Sequence, residues 1–546
     1  MYNLLHERWI PVKRKTGEKP EYVSPSQITD GLATNPIIGL AAPRPDFNGA
    51  LIQFLIGLVQ TACPPADESE WRKKFRSPPS PEELNAAFEP YATAFNLDGD
   101  GPRFMQDLFI KDGVSHQIDQ LLIDIPNEEM IKKNTDHFQK RDKIHDICQS
   151  CCSIALFTLQ TNAPQGGRGH YTSIRGGGPL TTIVLGNNLW ETVWFNVLSK
   201  KELSRYGDIT KNSDADRFPW LKPKRSQDGG ITMTSLDANP VHVFWGMPRR
   251  INILFEKNSL KEKCDICGYI CDIHARQYTD KSKGIAYSGD WLHPLSPYTL
   301  DQKTNKHIPR HKVRDGITYQ HWLGLVLNTT IQNNLNEPAA IIHTFREDRS
   351  NSEDPSMRLW AFGYDMEKKK ARGWYDGTMP LIHVDKEIQS DYEIIVSQII
   401  GTANQIAFNT HSFIIKALFS PRAKISGDLS VIDSEFWQNT EPDFYRVLGE
   451  LHENLKNKQP LNDLKLRWLS ILTREGEMLF DWYSQSNLIS VADPKRIALA
   501  RRDFIKFSSR YNKKIIGLLD LQKPEKSAKT RDKERKNSGA CDIVRL

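Results

Sequence analysis

The chain has no long apolar run, few cysteines and almost no surplus of one charge, and each shortage removes a class of answers. Its most apolar stretch, Gly49–Cys63, is interrupted by Gln53 and Gln60. A membrane-spanning helix needs about 20 consecutive apolar residues, so this segment reads as a buried helix. Met1–Val12 carries Glu7, Arg8 and Trp9 where a secretory leader needs an unbroken apolar core, and the expected location is the cytoplasm. Eight cysteines in 546 residues are too sparse for a disulfide framework, and a reducing compartment would keep them as thiols. Lysine and arginine number 73 against 67 aspartate and glutamate, a net charge of +6. So small an excess does not by itself identify a nucleic-acid partner, and the local clustering of charge has to decide.

Catalytic signatures are missing too. There is no Gly-x-Ser-x-Gly elbow, no His-Glu-x-x-His and no kinase or helicase signature. No set of carboxylates or histidines reads as converging on an open metal site. Asp98-Gly-Asp100-Gly starts like a calcium loop but lacks the later ligands and reads as a turn. The expectation is a binding protein rather than an enzyme. A zinc-containing nuclease and a scaffold that binds only RNA are the competing readings.

A chain of this length exceeds what one hydrophobic core supports, so a large unit and a smaller one are expected. Residues 1–382 mix short strand-like runs, such as Thr181–Leu185 and Val241–Phe244, with short helices and many Gly/Pro breaks. After about residue 383 the apolar period becomes helical, as at Tyr392, Ile395, Ile399, Ile406 and Phe413. Four helical stretches are expected at 385–420, 429–456, 461–486 and 493–519, with Pro421, Pro442 and Pro460 as breaks or kinks. The last opens with Asp493 as N-cap and Pro494 at the first helical position. It repeats Ile497, Phe504, Tyr511, Ile515 and Leu518 on one face. The predicted fold class is therefore α+β: an irregular α/β N-terminal domain, then an antiparallel four-helix bundle over 383–522, then a disordered charged tail at 523–546.

Three constellations carry chemistry. Cys148-Gln-Ser-Cys151 and Cys264-Asp-Ile-Cys267 are Cys-x-x-Cys knuckles that together complete a four-thiolate zinc shell. Cys271 and His274 lie near enough to the second knuckle to build a local site instead. Four protein ligands leave no open position, so any zinc here is structural. Second, six glycines crowd the run from Gly166 to Gly178, where Arg168 and Arg175 argue for a polyanion; no Walker or Rossmann spacing is present. Third, basic pairs recur at Lys132-Lys133, Lys140-Arg141, Lys222–Arg225, Arg249-Arg250, Lys281/Lys283, Arg501-Arg502 and Lys513-Lys514. Most such runs are solvated faces. Lys368-Lys369-Lys370 differs because strand-like segments flank it, which predicts a hairpin with a basic tip.

The order of these features, with Trp9-Ile10-Pro11-Val12, Ile154-Ala155-Leu156-Phe157, Asn162-Ala163-Pro164, Phe244-Trp245-Gly246-Met247-Pro248-Arg249-Arg250 and Gly363-Tyr364-Asp365-Met366, resembles the CasA-type large subunit of the type I-E CRISPR Cascade complex. The resemblance implies a non-enzymatic subunit that sits with guide-RNA-bearing partners. Such a subunit reads a short protospacer-adjacent motif (PAM) on double-stranded DNA, helps open the duplex and recruits a separate helicase-nuclease, while guide pairing reads the target. It implies that Gly166, Gly167, Arg168 and Gly169, with Lys281 or Lys283, approach the PAM from the minor groove. Glu367, Lys368, Lys369 and Lys370 would then form a wedge, and Phe138, in a basic loop over Lys132–Ile147, would contact the guide-RNA end of the complex.

Overall fold

The computed structural model describes residues 1–125, 143–167, 169–222, 230–311, 316–331, 334–349, 357–367, 370–421, 423, 429–485 and 493–521. The chain divides into two compact units. The first joins Met1–Ile317 to Gly324–His383; the second joins Thr318–Leu323 to the chain from Val384 on.

The first unit is mixed α/β and is built around the helix Pro45–Ala62, whose residues are buried without a break from Gly49 to Thr61. Burial on every side explains why its sequence is apolar all round. Its two glutamines are satisfied inside the protein: the Gln53 amide donates to the Gly49 carbonyl at 2.9 Å, and Gln60 exchanges bonds with the Leu198 backbone at 2.7 and 2.9 Å. Phe54 lies at the middle of an aromatic core, with Trp9, Phe95, Phe104, Phe157 and Trp245 packed edge-on at centroid distances of 5.2–5.9 Å. Gly49 and Gly57 admit neighbours that a side chain would block, since a Cβ would lie 2.5 Å from Trp374 and 2.9 Å from Phe244.

Two antiparallel sheets position the site. In one, Arg358–Glu367 pairs with Thr181–Leu185 on one side and with Lys370–Pro380 on the other. In the other, Ile273–Lys281 pairs with Arg250–Lys257, Val114–Gln117 and Ile147–Cys148. The strand expected at Val241–Phe244 is instead a short 3-10 helix, Pro240–Phe244. Pro240 opens it, and the Asn239 side chain caps it by accepting from the Val241 N–H.

Arg249 and Arg250, expected as a basic surface pair, are buried. The Arg250 Nε donates to the Asp107 carboxylate at 2.7 Å, with side-chain exposures of 1% and 4%. Removing one partner strands the other charge in the interior, which costs about 3–5 kcal/mol. Arg250→Ala is expected to lower the unfolding free energy measured by urea titration by that amount, while a double change that also removes Asp107 recovers part of the loss.

The second unit holds the C-terminal helical region: Gln389–Leu418, Ser430–Lys456, Asn462–Gln485, Pro494–Ser508 and Lys513–Leu519. The long first helix packs against each of the others, burying Tyr392, Ile399 and Ile406, and its Ile399 carbonyl accepts from the Trp468 indole at 3.0 Å. Tyr319 inserts here, stacked on Phe444 at 4.3 Å and bonded through its hydroxyl to Thr440. Pro442 lies inside a continuous helix rather than ending one. Asp493 caps the fourth helix as its position predicts, with Pro494 at N1. That helix ends at Ser508, and Asn512 caps a separate short one by accepting from the Lys514 N–H. Tyr511 falls in the break and is 59% exposed, so it leaves the apolar face that its spacing predicts. The 523–546 tail lies outside the described residues.

Candidate nucleic-acid interface and metal centre

Cys148 ends a sheet strand and caps the helix Gln149–Asn162, its sulfur accepting from the Cys151 N–H at 3.4 Å. The second knuckle turns tightly. The Gly268 N–H returns to the Cys264 carbonyl at 2.8 Å, and Gly268 has φ +75°, a conformation that favours glycine. The Cys148 N–H donates to the Cys264 sulfur at 3.4 Å. As a result, Cys148, Cys151, Cys264 and Cys267 bring their sulfurs within 4.8 Å of one another, and the Cys148 and Cys267 sulfurs are 3.7 Å apart.

Four sulfurs held about 2.3 Å from a tetrahedral zinc stand about 3.8 Å from each other, so the set fits such an ion. Hydrogen bonds from the Cys148 and Cys151 thiols push Cys264 and Cys267 below the usual thiol range. Cys148 and Cys151 are raised above that range, through their bonds with the other sulfurs and through burial, so two of the four sulfurs favour the thiolate form that binds metal. Asp265, inside the second knuckle, accepts from the N–H groups of His145 and Asp146 at 2.7 and 2.9 Å, which ties the two knuckles together through protein bonds. His274, the alternative local ligand, turns away. Its Nδ1 lies 2.7 Å from Asp146. The acidic group it joins, with Asp146 and Glu262, already holds the Arg276 guanidinium as its cation.

The glycine run after the same helix folds back on itself: Gly166 N–H to His170 O at 3.1 Å, and His170 N–H to Gly167 O at 3.0 Å. It borders a groove of ≈ 360 Å³ lined by Gly166, Gly167, Gly169, Tyr171 and Tyr287 among others. The three glycines differ. A Cβ at Gly166 would lie 2.3 Å from His170, and Gly169 has φ +86° with Ser282 and Lys283 against it, whereas Gly167 meets nothing within 4 Å. Sequence order leaves Lys281 and Lys283 equivalent, but their surroundings separate them. The Lys283 N–H donates to the Gly169 carbonyl at 2.7 Å, and the Lys281 ammonium donates to the Lys111 carbonyl at 2.6 Å. Lys283 is therefore the lysine beside the loop.

Sequence reasoning missed two supports of this loop. Asp280 accepts from His170 at 2.6 Å, and Arg249 donates to the Pro164 carbonyl. An isolated carboxylate has no motif by which to be found. Arg175, expected to face a polyanion, is 1% exposed and points inward instead. Arg168 lies outside the described residues, as does Phe138.

The hairpin predicted around the lysine run is longer than its apolar pattern suggests. Its backbone pairs run from Arg358↔Pro380 to Glu367↔Lys370, with a bulge after Asp365. Near the tip Asp365 and Arg372 form an ion pair at 2.7 Å. A Cβ at Gly178 would lie 2.7 Å from the Met366 side chain, so the hairpin end packs on the last glycine of the run. Lys368 and Lys369 lie outside the described residues, as do the side chains of Glu367 and Lys370.

The fold has close counterparts among solved structures. A chain of Thermobifida fusca Cse1 superposes with a TM-score of 0.68 at 14% identity, covering 95% of this chain and 98% of that one. Thermus thermophilus CasA (Cse1) gives 0.65 at 14%, covering 93% and 99%. A chain of a CRISPR RNA-guided surveillance complex gives 0.65 at 13%, covering 93% and 99%. At such identities the likeness establishes the fold. The sequence profile of the CRISPR-associated protein Cse1 family matches residues 3–478, and with that span matched the chain belongs to the Cse1 family.

Proposed function

We propose that this chain is the large subunit of an RNA-guided CRISPR surveillance complex of the Cascade type. In this reading it recognises the PAM on double-stranded DNA, starts duplex opening, and recruits a separate helicase-nuclease while performing no catalysis itself. The observation that carries the reading is the placement of Lys283 against Gly169, beside a groove that Gly166, Gly167 and Gly169 line together with Tyr171 and Tyr287. Where the lining is glycine, no side chain keeps the backbone from sugar and base acceptors. A lysine serves minor-groove acceptors of either A·T orientation, which suits a degenerate motif. The hairpin that ends beside Gly178 supplies the wedge, and Phe138 with its basic loop contacts the guide-RNA end of the complex. One structural zinc in the four-cysteine site pins residue 148 to residue 264, the C-terminal helices form a bundle, and the complex works in the cytoplasm.

Gly167 provides the cleanest test because a side chain there has open space. Gly167→Leu is expected to leave folding and complex assembly unchanged. In the assembled complex it should weaken binding to PAM-bearing duplex at least tenfold, in keeping with about 1–3 kcal/mol for a good groove contact. Guide-independent binding should stay within about twofold, since phosphate contacts dominate it. Equal loss on both substrates would sink the assignment.

A further inference from the structure

Arg175 is a buried cation without a counter-charge. Its guanidinium donates to the hydroxyls of Thr181 and Ser296 at 3.0 and 3.1 Å and to the Gln53 carboxamide oxygen at 2.5 Å, all neutral groups. Among the described residues no carboxylate forms an ion pair with it, although it is 1% exposed. Two other buried arginines have carboxylate partners, Arg250 in Asp107 and Arg349 in Glu68 and Glu202, and Arg249 donates to a backbone carbonyl, that of Pro164. An isolated charge in an interior is strongly unfavourable unless something neutralises it.

Beside the guanidinium lies a small cavity of ≈ 10 Å³, lined by Gln53, Gln160, Arg175, Phe244, Gly246 and His293 among others. Such a volume admits one water-sized sphere. His293 is 3% exposed. Its Nδ1 accepts the Leu295 N–H at 3.1 Å, which places the proton of the neutral ring on Nε2. Burial and the neighbouring Arg175 charge both press the ring towards that neutral form. The Nε2–H has no hydrogen-bond partner among the described residues. Of the side-chain acceptors on the lining, the Gln53 oxygen already accepts from Arg175 and the Gln160 oxygen from the Arg249 N–H at 3.0 Å, which leaves the Thr161 hydroxyl. A water molecule needs acceptors for its two hydrogens, whereas an anion needs only donors and positive charge.

We propose that the cavity between Arg175 and His293 binds one monatomic anion of chloride size. Phosphate, sulfate and carboxylates are too large for the space. The site sits under the glycine run, at the point where the Ser173 and Gly178 N–H groups return to the carbonyls of Ala163 and Asn162, both at 3.1 Å. An anion there neutralises the arginine and fixes the base of the loop. The proposal does not depend on the DNA-binding reading.

Bromide replaces chloride at such sites and scatters anomalously. Crystals of the full chain soaked in bromide are expected to show an anomalous peak in contact with Arg175 and His293. In solution the melting temperature should be about 3 °C higher in 100 mM chloride than in gluconate of equal ionic strength. The difference should vanish in Arg175→Gln and shrink in His293→Asn. Because Arg175→Gln can lower stability by itself, the chloride-minus-gluconate difference within each variant is the readout, and the peak needs no variant. A cavity without anomalous signal would show that water fills it. A chloride effect of equal size in wild type and both variants would be a general salt effect, and it too would overturn the proposal.

Discussion

Replacing Cys148 and Cys151 together by serine is expected to release about one zinc per chain and to destabilise the first unit by several kcal/mol. A site that forms only in the folded state adds its binding free energy to folding, about 10–16 kcal/mol in isolated zinc-finger peptides. The first unit has an aromatic core of its own, so only part of that term appears. The part that remains still exceeds the ~1 kcal/mol of a usual substitution, because the two knuckles are separated by more than a hundred residues of sequence. Asp265 retains its bonds to His145 and Asp146, so loosening should be confined to the sheet edge at Ile147–Cys148 and the turn at Cys264–Gly268. Metal analysis, urea unfolding and hydrogen exchange at those segments check it. Zinc retained in full by the double variant would mean that Cys264 and Cys267 find partners elsewhere, with Cys271 the nearest thiol in sequence.

The second large effect is expected at the hairpin tip. Parting the first base step beside the PAM costs on the order of 1–2 kcal/mol of stacking. A rigid element that fills the gap can offset this cost. Rigidity is present below the tip: the strands pair through Glu367↔Lys370, and the Asp365–Arg372 ion pair braces them. Lys368 is the proposed inserted side chain, and Lys369 and Lys370 are the proposed phosphate partners, whose contacts would weaken with salt. Lys368→Ala should slow guide-strand pairing on fully duplexed targets about tenfold, the equivalent of about 1.4 kcal/mol. Targets already mismatched next to the PAM need no wedge and should pair at nearly the wild-type rate. Equal slowing on both would reduce the lysines to plain electrostatic contacts.

Legibility followed periodicity and chemistry. The long C-terminal helices were readable from their apolar spacing, the strand Thr181–Leu185 from its β-branched run and the buried helix within Gly49–Cys63 from its length and all-round apolarity. Asp493 and Pro494 set a helix start by local chemistry alone. Val241–Phe244 shows the limit. Four mostly apolar residues suit a strand as well as a turn of helix, and here the Asn239 cap and Pro240 decided for the latter. Tyr511 kept its period on paper, but Asn512 restarted the helix after it.

The sequence by itself determined the thiol pairs, the glycine run, the basic hairpin and the order of motifs that marks the family, since each is a matter of residue type and spacing. Tertiary structure alone decided which of these meet. It closed four sulfurs from two distant knuckles into one cluster and turned His274 away to Asp146. It set Lys283 rather than Lys281 against Gly169, and it drew Arg175, Arg249 and Arg250 into the interior. The reason is physical: whether a charge faces solvent or core depends on what packs over it. For these arginines the cover comes from residues far away in sequence, such as Gln53, Asp107 and Ser296.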